Sequence, residues 1–276
     1  MNPTGQLYSQ NNGFSKRWAT DVLSLIEFKQ QGYTDILDIG CGTGEVTNVL
    51  LNQINNVEKI IAFDKNESMI ELARSENSNP KIEYLVADVT KPESFRPEWR
   101  QKFDLITSFL VIHWTPNQYS NLETMKSLLA PNGEVILLMS TTSSIVSMSE
   151  LVTNLEKWSP YFQGFTPEWI YEPGWEEYTE WRYPDEVTGY RRMAESLGFT
   201  VKQCTNNSID YVYPDLQSVK DAYRTYLPQA KRIPEAKISE IIDDAMDVFL
   251  TKFPLDENGK SHMIGDAFVM HLQNNS

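Results

Sequence analysis

Between residues 33 and 140, short unbroken apolar runs alternate with stretches whose apolar positions recur every three or four residues. A short apolar run bounded by turn residues marks a strand covered on both faces, and the three-to-four spacing marks one face of a helix. "TDILDIG", "EKIIAFD", "KIEYLVAD", "FDLITSFLVIHW" and "EVILLMS" predict five such strands. "EVTNVLLNQI", "NESMIELARSEN" and "QYSNLETMKSLLAPNG" predict the helices between them. Asn66 serves as an N-cap for the second helix, and the turn at 131–133 stops the third. Alternation at this spacing implies right-handed crossovers and a parallel sheet with helices on both faces.

Beyond Ser143 the pattern changes. Residues 143–184 are dense in aromatics, with Trp158, Tyr161, Phe162, Phe165, Trp169, Tyr171, Trp175, Tyr178, Trp181 and Tyr183. "DEVTGYRRMAESLGF" predicts a sheet-packing helix ended by Gly198, and "TVKQCTNNSIDYVY" a strand. "DLQSVKDAYRTYL" and "EAKISEIIDDAMDVFLTKF" predict two further helices before a closing strand, "HMIGDAFVMHLQ". The expected fold class is α/β: a doubly wound, seven-stranded, mostly parallel sheet of Rossmann-like type with a helical cap over its carboxyl edge. The expected domains are an N-terminal helical flap (1–32), a binding core (33–142), the cap (143–184 and 215–253) and the rest of the sheet (185–214 and 254–276).

Charge and composition narrow the partners. Of the 276 residues, 38 are Asp or Glu and 24 are Lys or Arg, a formal charge of −14. That excess repels nucleic acid and anionic membrane surfaces, and no basic patch offsets it. No apolar window is long enough to span a bilayer, and the N-terminus lacks the apolar core of a signal peptide. With only two cysteines a structural disulfide is not expected, and the default compartment is the reducing cytosol. No His/Cys/Asp/Glu set has metal-ligand spacing, so no metal is expected.

The chemistry concentrates at the end of the first strand, in "DILDIGCGTGEVTNVL". Gly40, Gly42 and Gly44 follow an apolar run and open a helix, where parallel sheets bind ligands and a backbone free of Cβ atoms can approach closely. A dinucleotide fingerprint would need a third glycine at 45 or 47, and those positions hold Glu45 and Thr47. Asp64 ends the second strand, suited to ribose hydroxyls, and Asp88 ends the third, suited to an adenine amino group. Asp38, just before the first glycine, suits an ammonium group, directly or through water. Each aspartate alone reads equally as a cap or turn residue. Three in register with the glycines point to a neutral-to-cationic nucleoside without phosphates.

"LDIGCGTG", the Asp64 strand end and Ala87-Asp88 resemble the class I S-adenosylmethionine-dependent methyltransferases. The resemblance implies S-adenosylmethionine as methyl donor and S-adenosylhomocysteine as product. It also implies an adenine contact from the Val89 amide, a donor-side place for Lys65 beside Asp64, and residues from Ser108 to Leu110 flanking the donor's amino acid part.

The acceptor should meet the end of the fourth strand, "SFLVIHWTPNQ", which lacks the Asn-Pro-Pro-aromatic motif of amino-directed enzymes. His113, Trp114, Asn117 and Gln118 resemble the "HW-x-x-NQ" stretch of the insect juvenile hormone acid methyltransferases, which esterify farnesoid acids. Leu7-Tyr8, Asn12, Lys16-Arg17 and Ala19 are similar to that group's N-terminus. The resemblance implies that His113 and Trp114 hold the substrate carboxyl group, within juvenile hormone biosynthesis. Ser15 aligns with the group's N-terminal glutamine, a departure from its pattern. Tyr8, Gln118, Trp158, Phe162, Trp169 and Trp175 are the further expected substrate contacts.

The physical case for a carboxylate stands apart from the resemblance. A carboxylic acid has a pKa of about 4–5, so it is ionised at neutral pH and needs no general base. The protein has only to hold oxygen, methyl carbon and sulfur in line and keep water out. A small-molecule acid is therefore the expected partner, with a homodimer left open. Two alternatives also stay open: a methyltransferase of a small polyacid of the trans-aconitate type, and a catalytically silent S-adenosylmethionine-binding protein. The polyacid reading calls for several cations near the mouth, whereas residues 143–184 offer only Lys157 and Arg182.

Overall fold

The computed structural model of the chain describes residues 5–115, 117–143, 151–163, 186–226 and 232–275. Trp169, Trp175 and most of the aromatic segment around them lie outside the described residues. The first half contains α1 (Gly5–Asn11), α2 (Gly13–Leu25), β1 (Asp35–Ile39), α3 (Glu45–Gln53), β2 (Lys59–Asp64), α4 (Glu67–Glu76), β3 (Ile82–Val86) and β4 (Phe103–Phe109). There follow α5 (Gln118–Leu128), β5 (Leu129–Ser143), α6 (Glu186–Ser196), β6 (Phe199–Tyr213), α7 (Leu216–Tyr226), α8 (Ile238–Lys252) and β7 (Ser261–Asn274). Among the described residues no helix is long and apolar enough to cross a membrane.

Seven strands form one sheet in the order β3-β2-β1-β4-β5-β7-β6. The pairs β1–β2, β1–β4, β2–β3 and β4–β5 are parallel, as the alternation predicts. β1 and β2 are buried along almost their whole length, which is why they read as unbroken apolar runs. β1 and β4 are neighbours although two strands separate them in sequence. The strand order therefore reverses between them, and a crevice opens at their carboxyl ends.

Two boundaries differ from the sequence reading. β4 stops at Phe109 rather than running on to Trp114, because Leu110 turns into the left-handed region at φ 60°. α5 stops at Leu128, and β5 begins at once at Leu129, ahead of the expected start at Glu134. Residues 131–133 therefore lie within β5, where the register against β4 shifts between Phe103 and Leu105. A Cβ at Gly133 would come within 2.8 Å of the Phe103 carbonyl oxygen, so only glycine lets the strands approach there.

The chain divides into two compact units. The first comprises Met1–Phe14, Ser140–Thr166 and Ser208–Asp266. In it α1 packs on α7 and α7 on α8, around buried Trp158, Tyr223 and Phe249. The second comprises Ser15–Met139, Pro167–Asn207 and Ala267–Ser276. Its core gathers Leu37, Phe63, Trp99, Phe103, Ile106, Leu137, Met193 and Phe268 from both strands and helices. On β5 in the same unit, buried Glu134 accepts from the Tyr33 hydroxyl at 2.5 Å and from Lys202 at 2.8 Å. Burial alone would raise its pKa, but the bonds from His271, Lys202 and Tyr33 and the charge of Lys29 hold it down at about 2.

Candidate active site

The glycine loop leaves the carboxyl end of β1, and its backbone angles explain its composition. Gly40, Gly42 and Gly44 sit at φ 73°, 54° and 87°, a region that a Cβ disfavours. At Gly40 a Cβ would also come within 2.3 Å of the Val111 side chain. The Phe63 carbonyl at the end of β2 hooks the loop by accepting from the amides of Gly40 at 2.7 Å and Cys41 at 3.0 Å. Asp64 accepts from the Gly42 amide at 3.2 Å and the Asn66 amide at 2.8 Å.

Three acids lie at or just beyond the carboxyl ends of β1, β2 and β3, each in a different setting. Asp38 is buried, its two oxygens accepting from the hydroxyls of Thr47 on α3 at 2.6 Å and Thr107 on β4 at 2.8 Å. Desolvation outweighs those bonds and pushes its pKa up to about 6, with the charge of Asp64 adding to the rise. Burial also raises Asp64, against the lowering by the Asn66 and Gly42 amides and the charge of exposed Lys65. Asp88 accepts on one oxygen from the amide of Thr90 at 3.0 Å and its hydroxyl at 2.8 Å. Partial burial would raise Asp88, but these bonds and the charges of Lys65 and Lys91 hold it below the usual range. Val89 buries its side chain in the core.

The other side of the crevice is built on a strained turn. Leu110 donates its amide to the Leu138 carbonyl at 2.7 Å, and a 3-10 turn over Ile112–Trp114 follows. The rings of His113 and Trp114 lie 5.0 Å apart at 41°. Trp114 is 44% exposed and His113 half-buried. Desolvation lowers the His113 pKa to about 3, so the imidazole is neutral at physiological pH and carries a single N–H.

Several expected contacts are committed elsewhere. The Ser108 hydroxyl donates to the Ile39 carbonyl at 3.0 Å and ties β4 to β1. Gln118 is buried, and its side-chain oxygen accepts from the Tyr190 hydroxyl on α6. As the first residue of its helix it turns toward the layer between α5 and α6. Ser15 is buried on α2. In the first unit, Trp158 is fully buried and donates its indole N–H to Asp244 at 2.7 Å. Phe162 is buried and Tyr8 half-buried in that same unit.

A family model described as a methyltransferase domain matches residues 31–196. The chain belongs to that methyltransferase family. Juvenile hormone acid O-methyltransferase of Bombyx mori is 24% identical over 258 residues, covering 88% of this chain and 84% of its own length. Trans-aconitate 2-methyltransferase of Enterobacter sp. (strain 638) is 33% identical over 133 residues, 48% of this chain and 49% of its own. Among solved structures, phosphoethanolamine N-methyltransferase 2 of Haemonchus contortus, in complex with phosphomonomethylethanolamine and S-adenosylhomocysteine, covers 94% of this chain and 53% of that one. Its TM-score is 0.53 at 14% identity.

This methyltransferase takes its methyl group from S-adenosylmethionine, and the site fits that donor. The donor carries positive charge on sulfur and on its amino group. Burial penalises the ionised forms of Asp38 and Asp64, and a cation brought beside them would relieve that penalty. Sequence reasoning missed Thr47 and Thr107, the staples of Asp38. The signal for Thr47 was its place one turn before Leu50, a polar residue on the buried stripe of α3.

Proposed function

We propose that this methyltransferase esterifies the carboxylate of a hydrophobic acid of sesquiterpenoid or fatty type, such as farnesoic or juvenile hormone acid. The observation that carries the reading is the His113–Trp114 pair. Two uncharged N–H groups sit on a turn whose leading residue, Val111, fills the space over Gly40 at the donor loop. When bound, S-adenosylmethionine supplies a methyl group on an electron-poor sulfur. The neutral imidazole of His113 and the indole of Trp114 can each donate one hydrogen bond to an acid. A pair of this kind orients the carboxylate without the full charge pairing of an arginine, which would blunt its nucleophilicity. Asp64 and Asp88 hold the nucleoside and Asp38 the donor's ammonium group, and their negative charge keeps the acid on the His113 side. No proton has to be removed, so no general base is invoked.

Likeness to an insect acid methyltransferase over most of the chain supports a carboxylate acceptor. A small polyacid is the second reading, favoured by the trans-aconitate relative over about half the chain. The charge of −14 supports a cytosolic role away from nucleic acid and membranes. The test is transfer of labelled methyl from S-adenosylmethionine to farnesoic acid, juvenile hormone acid, medium-chain fatty acids, benzoate-type acids and aconitate. A base-labile ester on an apolar member is expected. Aconitate as the best substrate would move the assignment to the second reading. No transfer to any acid, with the donor bound, would overturn the carboxylate reading.

A further inference from the structure

The end of the glycine loop is gripped from behind by side chains outside the donor contacts described above. Asn77, the C-cap of α4, donates its side-chain amide to the Thr43 carbonyl at 2.8 Å. The buried Tyr84 hydroxyl on β3 lies 3.4 Å from the Gly44 carbonyl and 3.1 Å from that of Asn77. Asn48 on α3 donates its amide to the same two carbonyls, at 3.3 Å and 3.1 Å. Arg74 holds the Tyr84 carbonyl at 2.7 Å from the other side. The fit is close, since a Cβ at Gly44 would come within 2.5 Å of the Tyr84 hydroxyl oxygen.

In a trans peptide the C=O and N–H point in opposite directions, so holding a carbonyl fixes the aim of the next amide. Pinning the carbonyls of Thr43 and Gly44 therefore orients the amides of Gly44 and Glu45. The Gly44 amide donates to Cys41 at 3.0 Å and closes the loop's turn. The Glu45 amide opens α3, whose N-terminus faces back to the loop. A loop with three glycines loses much conformational freedom when it orders. A clamp that orders it beforehand takes that cost out of binding.

We propose that Asn77 and Tyr84 are positioning residues for the donor, acting through the carbonyls of Thr43 and Gly44 without touching the donor itself. The proposal rests on the glycine loop as the donor site. The experiment is calorimetric titration of S-adenosylhomocysteine into wild type, Asn77→Ala, Asn77→Asp, Tyr84→Phe and the double variant Asn77→Ala/Tyr84→Phe. All titrations run well below each variant's melting temperature. Each single variant should bind about three- to tenfold more weakly. Asn77→Asp, equal in size but unable to donate when ionised, should be as weak as Asn77→Ala. The double variant should lose less than the product of the single losses, because both residues act on one loop end. Wild-type affinity in Asn77→Asp and Tyr84→Phe, with only a lowered melting temperature, would overturn the proposal in favour of a purely structural role. The titration needs no acid, so it is independent of the carboxylate reading. Failure of the wild type to bind would instead sink the donor site itself.

Discussion

In the proposed reading, the two sides of the crevice solve recognition in opposite ways. On the donor side the work falls to backbone: three glycines at positive φ, a doubly used carbonyl at Phe63 and acids tied down by threonines and amides. On the acceptor side it falls to side chains carried by a strained non-glycine residue, with Trp114 left open to solvent. Backbone recognition tolerates almost no change of residue and so leaves a legible motif. Side-chain recognition on a turn can be rewritten by single substitutions, which is how one fold serves many acceptors.

Substitutions on the two sides should separate cleanly, and the largest effect belongs to Gly40→Ala. The left-handed φ and the 2.3 Å approach to Val111 both oppose a methyl group. Binding of S-adenosylhomocysteine by calorimetry should fall by about a hundredfold or more, roughly 3 kcal/mol. Next comes His113→Ala. Loss of a hydrogen bond to a charged group should slow labelled-methyl transfer about 10- to 100-fold, while donor affinity stays within about twofold. Normal transfer in this variant would remove His113 from the acceptor site.

A pH series sharpens the contrast further. Asp38 takes up a proton as pH falls through about 6, so affinity for the cationic donor should drop, by up to about tenfold per pH unit below it. Asp38→Asn should flatten that dependence. For the ligand-free fold the sign is reversed. A carboxyl raised from its ordinary 3.8 to about 6 contributes most stability at low pH and loses it as pH climbs through that window. His113, lowered to about 3, should add no step to the rate profile between pH 5 and 9. The smallest effect is expected for Leu110→Gly, where relief of a left-handed residue offsets added chain entropy. Its melting temperature should move by no more than a few degrees, about 1 kcal/mol. A glycine introduced at positive φ is thus tolerated where the alanine at Gly40 is not.

The same contrast explains what the sequence could reveal. Glycines and strand-end acids have fixed spacing, so the glycine loop and the parallel strands were legible from local pattern. The end of β4 was not, because the apolar run continues through Leu110 and Val111 into the turn and periodicity cannot see a change of φ. The junction of α5 and β5 was hidden in the same way by Leu128-Leu129. The bonds of Gln118 to Tyr190 and of Trp158 to Asp244 were invisible in the sequence, because the partners are 72 and 86 residues away. Composition says how many aromatics a segment holds but not which of their polar atoms are already bonded.

The most direct test of the central claim is uptake of labelled methyl by farnesoic acid and by farnesol, measured side by side with S-adenosylmethionine. The account predicts label on the acid alone, released by mild base as an ester carries it. Label on the alcohol, or production of S-adenosylhomocysteine with no methyl on any carboxylate, would contradict it.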